Sequence, residues 1–139
     1  MNNDKYITED RVTFEIAKLL EEKGFDEHCD YVYDGTTLKW LFGMFIFFKE
    51  PSDTNSKLKE YGHDGIVTAP TVQMALKWLR EVHKIFINVS NEVSLTDDDI
   101  TYRFFVCTKE KTILHRGEDI KTFEDACNEA MKFALENLI

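Results

Sequence analysis

Tyr61-Gly62-His63-Asp64-Gly65 is the stretch of this chain best equipped for chemistry. A base and a carboxylate stand side by side in a glycine-flanked loop, the pairing a small hydrolytic or metal-dependent site would use. That reading makes His63 and Asp64 the weak candidates for a site. No third partner is evident in the sequence, and the Gly-x-x-Gly order matches no phosphate-binding motif. A mobile surface loop accounts for the same residues.

The other histidines, His28, His83 and His115, show no His-x-x-x-His spacing, and the three cysteines, Cys29, Cys107 and Cys127, form no Cys-x-x-Cys pair. A zinc site would need four ligands drawn from distant segments, so no metal ligand and no cofactor is assigned. A thiol becomes a nucleophile when a histidine lies beside it. Cys127 falls on an apolar helical stripe and reads as a small core residue, whereas Cys29, in a loop, is expected to be the most exposed of the three. Asp97-Asp98-Asp99 lacks the alternating spacing and closing glutamate of a calcium loop and reads as a solvated turn. No catalytic residue is assigned, and the chain reads as non-enzymatic.

Whatever the site, a single α+β domain spanning residues 1–139 must position it. The chain is long enough to bury a core without staples, and 43% of its residues are hydrophobic. The net charge is −9, with acidic ends and a near-neutral middle. No basic run gathers cations on one face, so direct nucleic-acid binding is not expected. An acidic protein of this kind is soluble, and it could also dock on a basic partner or act as a decoy for one. The cysteines are odd in number and scattered, which suits reduced thiols in a cytoplasmic protein. The polar N-terminus has no signal-peptide core, and the run Trp40–Phe48 is about half the length of a membrane-spanning helix, so no membrane contact is expected.

The elements follow from periodicity. Val72, Ala75, Leu76, Leu79 and Val82 recur at helical spacing, then Ile85, Ile87 and Val89 alternate as in a strand. This helix-to-strand unit is the expected centre of the fold, with Thr68 or Thr71 as its cap. A first helix runs from near Thr13 to Lys23, closed by Gly24 in a left-handed conformation with Phe25 folded back on Leu20. Asp34-Gly35 predicts a hairpin. Residues 50–68 read as a long loop, and Ser90–Asp99 as a polar connection. Tyr102–Cys107 and Thr112–His115 read as strands, and Thr122 caps a last helix whose buried stripe is Phe123, Ala126, Cys127, Ala130, Met131, Ala134 and Leu138. Strands joined in series by short turns predict an antiparallel sheet with about three helices packed on it.

Four stretches, Thr13–Phe25, Ala69–His83, Thr122–Cys127 and Leu135–Ile139, carry a resemblance. Their sequences, with the Trp-Leu-Arg-Glu-Val-His helix and the Glu-Asn-Leu ending as the most specific marks, resemble a family of small uncharacterised proteins of gut Bacteroidales and their prophages or other mobile elements. The resemblance implies a shared α+β fold and a bacterial or phage setting. It implies no activity and transfers no site residue.

The expectation for function is a protein-interaction module, with a homodimer as one form of it. Its candidate contact surface comprises Phe42, Phe45 and Phe47, in an aromatic run whose side chains cannot all face one core, together with Trp78, which lies off the main stripe of its helix.

Overall fold

The computed structural model describes residues 8–41, 53–96, 99–110 and 112–139. Among them are α1 (Phe14–Glu22), β1 (Tyr31–Asp34), β2 (Thr37–Trp40), α2 (Asn55–Glu60), β3 (Ile66–Thr68), α3 (Val72–His83), β4 (Ile85–Val93), β5 (Ile100–Thr108), β6 (Ile113–Ile120) and α4 (Phe123–Asn137). The strands form two antiparallel three-stranded sheets, ordered β2-β1-β3 and β4-β5-β6, so the fold is α+β as the sequence predicts.

Local signals set the helix ends. The Thr13, Thr71 and Thr122 hydroxyls accept from the amides of Ile16, Met74 and Asp125, so the third helix is capped by Thr71, not Thr68. Gly24, at φ +92°, closes α1 in a Schellman motif: its amide donates to Glu21 O, and that of Phe25 donates to Leu20 O at 2.8 Å. The β1–β2 hairpin turns on Gly35-Thr36, because Asp34 is itself paired with Thr37. Gly35 supplies the positive φ at the first turn position.

α4 lies across all three strands of the larger sheet, while α3 meets that sheet at β4. The main core joins Ile16 and Leu20 of α1, Val72, Ala75 and Leu79 of α3, Phe104 and Val106 of β5, and the Ala126–Leu135 stripe of α4. A smaller core of Val32, Leu41 and Leu58 sits under the other sheet. The helix-to-strand unit is present as expected, joined by Lys84 alone in a left-handed conformation, but α4 is the element that roofs the larger sheet.

Three expectations need correction. Within the expected loop 50–68, α2 and β3 form. Thr54 caps α2 by accepting from Lys57, and the buried Asn55 amide donates to Phe25 O and accepts from Thr68 N, both at 2.9 Å. β4 runs on to Val93, because its polar residues pair with β5 through Val93↔Ile100. β6 extends to Ile120, past Gly117, where a β-carbon would fall 2.2 Å from Phe104 Cε2.

Candidate functional site

The glycines around His63 have structural roles. Gly62, at φ +79°, and His63 end α2 in a second Schellman motif, their amides donating to Lys59 O and Leu58 O. His63 O then accepts from Ile66 N across a turn whose third residue, Gly65, has φ +82°. His63 is half-buried and Asp64 exposed. Turn chemistry thus accounts for the sequence that most resembles a site. Among the described residues no three His, Cys, Asp or Glu side chains gather to hold a metal ion.

The thiols are placed differently from the expectation. Cys29 is 3% exposed, because it and Asp53 exchange backbone hydrogen bonds of 2.8 and 2.9 Å that hold this loop position against the body of the protein. Burial pushes its pKa up to about 11, against weaker opposing effects of the Thr68 hydroxyl and Arg11. Thr68 Oγ1 is buried and makes no regular hydrogen bond among the described residues. Cys127 is fully buried, as its helical stripe predicts, and its pKa is pushed up to about 12, first by burial and then by Glu124. Thiols held so far toward the neutral form are poor nucleophiles at pH 7. Cys107 is the partly exposed one, on the face of β5 opposite the core residues Phe104 and Val106.

Trp78 does not protrude. It is 7% exposed, with its ring edge-to-face on Phe25 at 5.4 Å and on His83 at 4.5 Å. Of the two readings open to a tryptophan off the main stripe, core packing and an exposed anchor, the side chain follows the first. Its remaining surface instead forms part of a cleft of about 510 Å³, together with Met74, Val82, Gln73, Lys77 and Glu81 of α3 and Glu27 and His28 from the loop after α1. Val82, read as a core position, is 56% exposed and lines the cleft wall. Met74, Trp78 and Val82 supply apolar surface. Among the described residues, the rim holds the carboxylates of Glu27 and Glu81, the Lys77 ammonium and the His28 imidazole.

α3 divides two clefts. Its Val72, Ala75 and Leu79 face the core. Its other flank, Gln73, Leu76 and Arg80, lines a second cleft of about 340 Å³ with Phe86–Val89 of β4 and Phe123. Sequence reasoning singles out Trp78 and the strand after α3 but misses Glu27, which reaches α3 through tertiary packing, and the place of β4 at a sheet edge. The interaction candidates Phe42, Phe45 and Phe47 lie outside the described residues. Among the described residues, no helix is long and apolar enough to cross a membrane.

Compared with protein-family models, curated proteins and solved structures, the chain matches none.

Proposed function

We propose that the chain is a non-enzymatic protein-interaction module that seats an apolar side chain of a basic partner segment in the Trp78 cleft. The carrying observation is the cleft itself: among the described residues, an apolar floor of Met74, Trp78 and Val82 within a rim of Glu27, Glu81, Lys77 and His28, on a chain of net charge −9. A volume of about 510 Å³ lies in the range of small-ligand sites and admits one or two large side chains. Apolar floors with polar rims are the usual anatomy of contact surfaces, and the acidic field would speed encounter with a cationic partner. The resemblance to small proteins of gut Bacteroidales and their prophages supplies the proposed setting, the interior of a bacterial cell. Gly62 and Gly65 serve the turns on either side of His63 and Asp64, so the glycine-flanked pattern there needs no enzyme to explain it.

Trp78 is a built-in reporter. The chain has two tryptophans, and Trp40→Phe leaves Trp78 alone. The probes are synthetic peptides with one Leu or Trp flanked by lysines, titrated against that variant. Saturable change in Trp78 emission is expected, weakened about tenfold by Val82→Lys and strengthened by Lys77→Glu. Binding indifferent to both substitutions, or no emission change with any probe, overturns the reading.

A further inference from the structure

The second cleft is built from a sheet edge. Phe86, Ile87, Asn88 and Val89 all line it, yet successive strand residues point to opposite faces of a sheet. A cleft that touches all four must run along the edge of β4. That edge is unpaired among the described residues: β4 bonds to β5 on one side, and no backbone hydrogen bond of residues 86–89 reaches any other described segment. Alternate residues of an antiparallel edge strand turn both N–H and C=O away from their partner, so this edge presents a row of donors and acceptors.

The opposite wall matches it in length. Gln73, Leu76 and Arg80 are spaced i, i+3 and i+7, one flank of α3. From Gln73 to Arg80 a helix rises about 10 Å, and four strand residues span about 10 Å. Since α3 returns into β4 through Lys84 alone, Arg80 stands at the Phe86 end and Gln73 at the Val89 end. From this we infer that the cleft accepts an extended peptide of about four residues as an added strand beside β4. An apolar peptide side chain rests on Leu76 and Phe123, and a carboxylate pairs with Arg80 at the Phe86 end. Arg80 is well placed for this, because its one described ion pair is a 3.6 Å contact with its sequence neighbour Glu81, both side chains being about half exposed.

A second copy is a poorer occupant. Pairing two β4 edges needs the strands about 4.8 Å apart, and each would bring its own α3, about 10 Å thick, to the same edge. A lone peptide strand carries no such helix. The inference does not rest on the Trp78 cleft: among the described residues the two share Gln73 alone, and their other α3 residues lie on opposite flanks.

The test selects random dodecapeptides displayed on phage against the full chain, then resynthesises the enriched sequences. Expected are alternating apolar residues with one Asp or Glu, and a dissociation constant raised about tenfold by Arg80→Glu and unchanged by Val82→Lys. N-methylation of alternate peptide amides should abolish binding in one set and spare the other, since only one set faces β4. The inference is overturned if nothing is enriched, if neither N-methylated set loses binding, or if Val82→Lys abolishes binding while Arg80→Glu does not, which would place the peptide in the Trp78 cleft. Native mass spectrometry showing a dimer disrupted by Arg80→Glu would also overturn it, giving the edge to a second copy.

Discussion

Cys127 shows how a single side chain links packing to pH. Its thiol ordinarily titrates near 9.0, and in the folded chain it holds its proton to about 12. Between those values the unfolded chain binds fewer protons than the folded one, so stability is full below pH 9 and falls as pH rises toward 12. Cys29 acts in the same sense up to about 11. Burial also raises the pKa of Tyr33, whose partly buried hydroxyl donates to Val12 O at 2.6 Å. Urea midpoints measured between pH 8 and pH 11 should therefore decline, and less steeply in Cys127→Ala than in the parent. An equal slope in the two would show that this thiol is not held in its neutral form. Asn55 is the opposite kind of residue, buried and polar but satisfied. Asn55→Ala leaves Phe25 O and Thr68 N without a partner, at about 1–3 kcal/mol each, which is a large share of an ordinary domain's stability. The expected result is a clear fall in the denaturation midpoint, read by urea unfolding. Nothing in the sequence marks Asn55, because its partners lie 30 and 13 positions away.

Elements whose ends are written in a few adjacent residues are legible in the sequence alone. Thr13, Thr71 and Thr122 cap through bonds three residues on, and Gly24 with Phe25 closes α1 through bonds three and five residues back. The same Schellman chemistry at Gly62 and His63 escapes a sequence reading, because the helix it ends, Asn55–Glu60, is too short to show a periodic stripe. β6 reads too short for a related reason. Its Gly117 weakens the strand pattern locally, and only the sheet reveals the compensation: the buried Phe104 ring occupies the space a side chain would take. Gly117→Ala would place a β-carbon 2.2 Å from that ring, while His115 lies 5.7 Å from the ring's centre and limits its retreat. Overpacking of this kind costs about 1–3 kcal/mol, so the variant should melt several degrees below the parent in a thermal scan. A variant with an unchanged melting temperature would mean that the β6 backbone shifts freely, and with it the β5–β6 register.

At the scale of the whole molecule, neither cleft is legible in the chain: Glu27 and His28 reach α3 only by tertiary folding, and β4, though next in sequence, shows its open edge only once the strand order is known. Composition sets the field in which both clefts sit. A net charge of −9 on 139 residues sets the acidic groups against one another in the folded state, and the ion pairs that offset this are mostly exposed, such as Lys132–Glu15 at 2.9 Å and Arg103–Glu92 at 2.7 Å. Exposed pairs contribute about 0–1 kcal/mol each, so self-repulsion is the larger effect. Salt at 0.15 M shortens the reach of charge to about 8 Å. Raising NaCl from 10 to 150 mM should therefore raise the melting temperature of the free chain. The same salt should weaken its capture of a lysine-flanked peptide, because there the charges attract. The opposite signs make the pair of measurements informative together: a stabilised fold with weakened capture supports an acidic surface that serves a basic partner. Capture insensitive to salt would place the affinity in the apolar floor of Met74, Trp78 and Val82 and leave the chain's acidity as a solubility device.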